Sequence, residues 1–306
     1  MGMIPAPLAR STIEREGEAG AAWLAALPAI VDDLLIRWDC VVDGPPTHGH
    51  VGLVVPVRGA AGPAVLKVSF PHRSSAHEAK ALATWGGRGA ALLYEQDDER
   101  CAILLERARP SRLVDLDDGD EIATVAGQLC HRLSVPAPEG LPRLADLADG
   151  WADHVRAGAR EFPGMLPASV VDSALAVVDE LGRRQPDLLV HGDLHPRNIL
   201  RGDREPWLAV DPTGWVGDPA YDGGTLFKPR AYALRGRGDV LEALRREMDV
   251  FAEAAELDRE RVRRWVQLQL VQAAYWGRRT GFSVARGGAT LKQLVAFVDE
   301  LAVSWR

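Results

Sequence analysis

In two stretches of the sequence, an apolar run is followed by polar residues of types that occur in catalytic sites. Residues 188–200 read LLVHGDLHPRNIL, and residues 207–222 read WLAVDPTGWVGDPAYD. Each pattern predicts a short strand that opens into a loop, where side chains reach the mouth of a cleft. Asp193 could orient a hydroxyl and accept its proton, while oxygens of Asn198 and Asp211 could hold Mg²⁺. These are the groups that transfer of a phosphoryl group from ATP requires.

A zinc site is the first alternative interpretation of the same residues. His191 and His195 lie four residues apart with a carboxylate between them, a spacing that could bind zinc on a helix. Gly192 and Pro196 favour a loop instead, and the glutamate of the H-E-x-x-H motif is absent. Both histidines are therefore predicted to bond the backbone of their own loop.

Each polar residue also has a structural interpretation. Asp193 alone would be an ordinary turn aspartate, Asn198 could cap a turn, and Asp211 precedes a proline, which is a common turn pairing. Their occurrence together favours catalysis for Asp193 and metal binding for the other two.

Two motifs carry a resemblance to a known family. Residues 191–198 match H-x-D-L-H-x-x-N, and an aspartate after an apolar strand is followed by G-D-P-x-x-D at residues 217–222. In this order, they resemble the aminoglycoside phosphotransferase family, and further stretches such as LVVPV, LLERA and LSVPAP are similar to its streptomycin 6-phosphotransferase and hydroxyurea kinase group. The resemblance implies a bilobal, protein-kinase-like α+β fold and the cofactors ATP and Mg²⁺. It also implies that Asp218 and Asp222 are structural anchors.

The resemblance also assigns the nucleotide-binding residues. It implies that Lys67 holds the α- and β-phosphates and that Glu78 pairs with Lys67, although Glu78 could instead close a capping box on its own helix. Glu106 to Ala108 should be the hinge whose backbone groups bind adenine. The phosphate loop, residues 47–55, departs from the protein-kinase pattern because it has no complete G-x-G-x-x-G.

Hydrophobic periodicity predicts two lobes. Alternating apolar runs and a turn-rich composition predict an antiparallel sheet with one helix in residues 1–108, and an earlier helix over residues 17–37 is predicted to break or kink at Pro28. Residues 109–306 are predicted to form the mainly helical lobe that carries the catalytic residues. Its helices are predicted over residues 119–134, 143–160, 167–185, 239–256, 258–278 and 289–303.

Charge and cysteine usage limit the partners. The net charge is −7, with 20 acidic and 11 basic residues in residues 109–222, which argues against nucleic acid as a partner. Residues 223–306 are basic, which disagrees with a polycationic acceptor unless acidic residues of that segment line the cleft. The acidic residues concerned are Asp239, Glu242, Glu247, Asp249, Glu253 and Glu256. Three distant cysteines and no evident signal or membrane span predict a cytoplasmic monomer or homodimer.

Three functions are carried forward from the sequence. The first is an ATP-dependent O-phosphotransferase that acts on an aminoglycoside such as streptomycin and thereby inactivates an antibiotic. The second is a kinase of the same class with another acceptor, such as hydroxyurea, another antibiotic or a metabolite. The third is a nucleotide-binding regulatory module without turnover, which the presence of Asp193, Asn198 and Asp211 disfavours.

Overall fold

A computed structural model of the chain divides into two compact units. The structure describes five ranges, which are residues 4–49, 51–71, 75–236, 238–281 and 288–304. The first unit comprises Met1–Pro110 and Leu200–Thr213, and the second comprises Ser111–Ile199 and Gly214–Arg306. The division into lobes 1–108 and 109–306 stays a prediction.

Six antiparallel strands form the sheet of the first unit. They are β1 (Val41–Val42), β2 (Thr47–His48), β3 (Gly52–Gly59), β4 (Gly62–Ser69), β5 (Leu93–Asp97) and β6 (Ala102–Glu106). Their order is β1-β3-β4-β6-β5, and β2 also pairs with β3. Lys67 of β4 stands opposite Val54 of β3 and Ile103 of β6, so it lies in the middle of the sheet. The predicted antiparallel sheet is confirmed, with β2 as an additional strand.

The long helix α1 (Ala6–Arg37) packs against this sheet and closes its core. Alternate residues of a strand share one face, and here the apolar ones face α1. The fully buried members of this core include Leu27, Val31, Leu34, Leu53, Val57 and Val68. The helix kinks at Gly17, which has a φ of 60° and a ψ of −133°, whereas Pro28 lies inside the helix. The expected break at Pro28 is therefore wrong.

By length and composition alone, α1 could also cross a membrane. Its most apolar 18-residue window has a mean hydropathy of 1.6, although no such run was expected from the sequence. This is weak evidence, because the core helix of a soluble protein and a signal sequence pass the same test. The apolar residues of α1 that are fully buried contact the sheet of the first unit.

The segment Leu200–Thr213 adds a short hairpin to the first unit. Strand β8 (Ile199–Arg201) pairs with β9 (Trp207–Ala209). The N–H of Ala209 donates to the carbonyl of Gly89 at 2.9 Å, and the N–H of Ala91 donates to the carbonyl of Ala209 at 3.0 Å. These bonds fix the position of Asp211, which follows β9 by two residues.

Helices dominate the second unit. They are α3 (Gly119–Leu133), α4 (Ala148–Glu161), α5 (Ala168–Val177), α6 (Tyr221–Leu234), α7 (Val240–Ala254), α8 (Arg259–Thr280) and α9 (Gly288–Ser304). The N-cap aspartates of α3, α7 and α8 accept backbone N–H bonds, as the sequence pattern favours. Strands β7 (Leu189–Val190) and β10 (Trp215–Val216) form a small antiparallel pair, and the loop of residues 191–198 follows β7. The remaining helix of the first unit is α2 (Ser75–Trp85).

The sequence did not predict α6, because Gly223, Gly224 and Pro229 are poor helix formers. Packing against α8 overrides this propensity. A Cβ on Gly224 would lie 2.3 Å from the side-chain amide of Gln269, which donates to the carbonyl of Tyr221 at 3.0 Å. The glycines thus allow α6 and α8 to approach closely.

An aromatic cluster surrounds the start of α6. Tyr221 stacks on Trp151 with 5.8 Å between ring centroids, and Trp265 meets both rings edge-on. Asp218 accepts hydrogen bonds from Trp265 Nε1 at 2.5 Å and from Arg261 Nε at 2.7 Å. Asp218 is 2% exposed, and its two hydrogen bonds anchor the segment before α6 to α8.

Candidate active site

The loop after β7 holds Asp193 by its own backbone and side chains. Gly192 has a φ of 79°, a conformation that favours glycine, and it turns the chain sharply at the end of the strand. The N–H of Asp193 donates to Nδ1 of the buried His191 at 3.3 Å. His195 caps the short 3₁₀ helix Pro196–Asn198, because its Nδ1 accepts from the N–H of Arg197 at 3.2 Å.

Asn198 fixes the carboxylate of Asp193. Its Nδ2 donates to the Asp193 carbonyl at 3.0 Å and to Asp193 Oδ2 at 3.2 Å. Since both of these bonds use the amide nitrogen, Oδ1 of Asn198 is left to accept or to bind a cation. Because Nδ1 of His195 is an acceptor, its Nε2 carries the proton, and Nε2 lies 3.6 Å from Asp193 Oδ2.

The carboxylate of Asp222, at the start of α6, accepts hydrogen bonds from the backbone of this loop. Its Oδ1 accepts from the N–H of Gly192 at 2.9 Å, and the N–H groups of His191 and Leu194 also bond it. Burial raises the pKa of Asp222 to about 7, the N–H of Gly192 opposes this change, and the charge of Asp193 adds to it. The role of structural anchor predicted for Asp222 matches these bonds.

The first unit brings Lys67, Glu78 and Asp211 together. Lys67 Nζ donates to both carboxylate oxygens of Glu78, at 2.7 and 2.6 Å, and it also donates to Oδ1 of Asp211. Burial alone would lower the pKa of Lys67, but the charges of Glu78 and Asp211 raise it above its ordinary value. Lys67 is therefore a cation at neutral pH. The alternative capping role of Glu78 involves residues outside those whose side chains the structure describes.

Asp211 occupies a strained backbone position beside the β2–β3 turn. Its φ of 63° is uncommon for a non-glycine residue, and such strain often occurs at functional sites. A Cβ on Gly49 would lie 3.8 Å from Asp211 Oδ2, so the turn that resembles a phosphate loop lies over this carboxylate. The Asp211 side chain is 43% exposed, so solvent and ions can reach its carboxylate. These oxygens are of the type that Mg²⁺ prefers.

The predicted hinge, Glu106 to Ala108, begins at the last residue of β6. The side chain of Glu106 accepts from Arg204 Nη2 at 2.8 Å and from the N–H of Leu92 at 3.1 Å, so it is occupied within the first unit. Ala108 lies beyond the sheet, and the described residues show no backbone hydrogen bond for it. Backbone N–H and C=O groups that are not hydrogen-bonded within a sheet are available to bind the polar edge of a base.

Sequence reasoning missed two residues of α6 whose pKa the charge of Asp193 influences. Burial and the charges of Asp222 and Asp193 raise the pKa of Tyr221, whereas burial lowers the pKa of Lys228 and the charge of Asp193 opposes this change. Neither residue lies in a motif, and α6 itself was not predicted. A lysine within the apolar stretch TLFKPRAYAL was the one available signal.

Several acidic residues of the segment 239–256 have cationic neighbours. Glu247 pairs with Arg230 at 2.8 Å, Asp249 pairs with Arg263 at 2.7 Å, and Glu253 pairs with Arg259 at 3.2 Å. Asp239 caps α7, and Glu256 lies 3.9 Å from His131. Three of the six acidic residues considered in the sequence are thus already paired with arginines.

Comparison with known families gives a match over most of the chain. A family model described as aminoglycoside/hydroxyurea antibiotic resistance kinase matches residues 37–281. A streptomycin 6-kinase of Streptomyces glaucescens is 37% identical over 276 residues, which are 89% of this chain and 90% of the relative. A hydroxyurea phosphotransferase of Kitasatospora aureofaciens is 37% identical over 278 residues, 89% of this chain and 79% of the relative.

Solved structures agree on the fold. A thermostable mutant of the aminoglycoside phosphotransferase APH(4)-Ia, in ternary complex with ADP and hygromycin B, has a TM-score of 0.58 with 14% identity. The match covers 90% of this chain and 97% of that structure. At this identity the likeness establishes the fold alone, and the predicted kinase-like α+β fold is confirmed. The family model and the relatives together establish that the chain belongs to the aminoglycoside/hydroxyurea antibiotic resistance kinases.

Proposed function

We propose that this protein transfers the γ-phosphoryl group of ATP directly to a hydroxyl of a small molecule. The observation that carries the proposal is the arrangement of Asp193 and Asn198, in which the amide nitrogen positions the carboxylate and the amide oxygen remains available. This arrangement supplies a positioned base and a metal ligand from one short loop.

Asp193 would bind and orient the acceptor hydroxyl and take its proton as the phosphoryl group is transferred. Its Oδ2 already accepts from Asn198, and the Nε2–H of His195 faces the same oxygen at 3.6 Å. The bond from Asn198 fixes the direction of the carboxylate, so that the acceptor hydroxyl would meet it in a defined orientation. Holding reacting groups in one orientation is a main source of catalysis in phosphoryl transfer.

Lys67 would hold the α- and β-phosphates of ATP, with Glu78 fixing the direction of its ammonium group. Asn198 Oδ1 and the Asp211 carboxylate would be the protein ligands of Mg²⁺. The metal, when bound, would neutralise phosphate charge and orient the phosphates. The backbone from Glu106 to Ala108 would bind the adenine edge.

The acceptor proposed first is an aminoglycoside such as streptomycin, which would make the protein an antibiotic-inactivating enzyme. The 37% identity to a streptomycin 6-kinase supports this choice. Hydroxyurea is the second candidate acceptor, because a hydroxyurea phosphotransferase is equally similar. Another antibiotic or a metabolite could be the acceptor in place of hydroxyurea. A nucleotide-binding regulatory module without turnover is the more distant alternative function. We further propose a cytoplasmic monomer or homodimer that binds neither nucleic acid nor membrane.

The test is transfer of labelled phosphate from ATP-Mg²⁺ to a panel of streptomycin, other aminoglycosides and hydroxyurea. Labelled streptomycin is the expected product, and labelled hydroxyurea with unlabelled streptomycin would favour the second acceptor. The variant Asp193→Ala should bind ATP normally and lose roughly 10²- to 10⁴-fold in turnover. Near-normal turnover in this variant would contradict the role of Asp193 as base. ATP binding by the wild type without transfer to any member of the panel would point to an acceptor outside the panel.

A further inference from the structure

Arg204 lies in the turn between β8 and β9, and its guanidinium group makes several polar contacts within the first unit. Nε lies 3.2 Å from Oε1 of Glu106, and Nη2 lies 2.8 Å from Oε2 of the same carboxylate. Nη1 donates to Glu205 Oε1 at 2.9 Å. Gly87 leaves room for this group, because a Cβ at Gly87 would lie 3.2 Å from Nη2. Two parallel bonds to one carboxylate fix the plane of the guanidinium as well as its distance.

Glu106, the partner of Arg204, is the first residue of the hinge that is proposed to bind adenine. Its N–H donates to the carbonyl of Leu92 at 2.8 Å, and its carboxylate accepts from the N–H of Leu92 at 3.1 Å. The side chain of Glu106 is 12% exposed. A carboxylate that is largely removed from water needs a charged or polar partner. Without Arg204 the carboxylate would turn toward water and displace the end of β6.

The same guanidinium also bonds the backbone beside the hinge. Arg204 Nη2 donates to the carbonyl of Ala90 at 3.0 Å. The next residue, Ala91, donates its N–H to the carbonyl of Ala209 in β9 at 3.0 Å. One side chain thus connects the end of β6 with the segment before β5 and with the β8–β9 hairpin.

We propose that Arg204 is a positioning residue for nucleotide binding, which keeps the backbone of residues 106–108 in the orientation that accepts the adenine edge. This inference rests on the proposed phosphotransferase function. A backbone that is fixed before the nucleotide arrives does not have to be ordered on binding, so more of the hydrogen-bond energy appears as affinity.

The proposed phosphate contacts do not depend on Arg204. Asp211 follows β9, whose backbone bonds to residues 89–91 remain when the side chain of Arg204 is removed. Lys67 lies in the middle of the sheet and is paired with Glu78. Loss of the Arg204 side chain should therefore weaken binding of the base and leave binding of the phosphates unchanged.

The test compares ADP with inorganic tripolyphosphate, which has phosphates but no base. Each ligand is titrated with Mg²⁺ into the wild type and into Arg204→Met by calorimetry. We expect Arg204→Met to bind ADP roughly tenfold more weakly, about the contribution of one net hydrogen bond, and to bind tripolyphosphate as the wild type does. In turnover, the KM for ATP should rise by a similar factor while kcat stays within about twofold.

Two further variants separate the position of the guanidinium from its charge. Arg109→Met removes the same charge beside the same hairpin, where the exposed Arg109 pairs with Asp203, and it should bind ADP as the wild type does. Arg204→Lys keeps the charge but cannot form the two parallel bonds, so it should recover only part of the affinity for ADP. If Arg204→Met does not fold, Arg204→Lys provides the same comparison, with an expected loss for ADP alone.

Two results would overturn the inference. The first is an ADP affinity of Arg204→Met equal to that of Arg109→Met. The second is an equal loss of affinity for ADP and for tripolyphosphate, because a general loss of structure weakens both.

Failure of the proposed function has a different signature. A wild type that binds neither ADP nor tripolyphosphate would contradict the phosphotransferase proposal, and the inference would fall with it. A wild type that phosphorylates an acceptor, with an unchanged KM for ATP in Arg204→Met, would contradict the inference alone.

Discussion

The buried pair of Lys67 and Glu78 leads to a prediction about stability that does not depend on catalysis. The side chains are 8% and 6% exposed, and Lys67 Nζ lies 2.6 Å from Glu78 Oε2. At an effective dielectric constant of about 20, two unit charges about 3 Å apart attract each other by roughly 5 kcal/mol. Desolvation of both groups offsets much of this attraction, but removing only one partner leaves the other buried without its pair.

We therefore expect Lys67→Met and Glu78→Gln each to lower the free energy of unfolding of the first unit. Loss of one partner typically costs about 3 to 5 kcal/mol. Glu78→Gln should fall at the lower end, because Lys67 retains Asp211 as a second carboxylate. The double variant should be more stable than the sum of the single effects predicts, with a coupling energy of about 2 to 3 kcal/mol.

Hydrogen exchange of the β3 and β4 amides is the suitable assay, because it reports on the first unit alone. Urea unfolding of the whole chain is less direct, since two units need not unfold in one step. A coupling energy below about 0.5 kcal/mol would refute the reasoning, because that is the range of exposed pairs. The exposed pair Arg109 and Asp203 provides a matched control for which such a small value is expected.

Three further predictions concern single residues. Burial raises the folded-state pKa of Asp222 to about 7, from an ordinary aspartate pKa of about 4, so the wild type should lose stability relative to Asp222→Asn as pH rises from 4 to 7, by about 4 kcal/mol in urea unfolding. Parallel pH profiles would mean that its backbone donors keep it ionised. Asp211→Ala should weaken ATP binding in the presence of Mg²⁺ by tenfold or more and have a smaller effect in EDTA, which calorimetry measures; unchanged affinity would contradict metal binding by this residue. Gly224→Ala should destabilise the second unit by about 1 kcal/mol, since its Cβ would lie 2.3 Å from the side-chain amide of Gln269 and would displace that amide from the Tyr221 carbonyl, as thermal denaturation would detect. Gly150→Ala, with open space around its Cβ, should be neutral or slightly stabilising, and equal effects of the two alanines would contradict the close approach of α6 and α8.

The strands and helices whose residues follow a regular apolar pattern could be predicted from that pattern alone. Alternating apolar residues predicted β3 and β4, and hydrophobic periodicity predicted α3, α7 and α8. The two motifs predicted the residues of the candidate site, because each motif lies within one short stretch of sequence. The sequence also contained a misleading signal, since Pro28 lies within α1 and the kink occurs at Gly17.

Tertiary structure decided what depends on contacts between distant residues. Helix α6 contains two glycines and a proline, and it forms because α8 packs closely on those glycines. The pairing of Lys67 with Asp211 joins residues 144 positions apart.

The sequence by itself therefore determined the family, the fold class and the types of residue available for chemistry, because these follow from local pattern. Packing in three dimensions decided which charges are paired. Lys67 and Lys228 are both lysines in apolar stretches, and only the fold shows that the first has two carboxylate partners whereas the second is influenced by Asp193 alone.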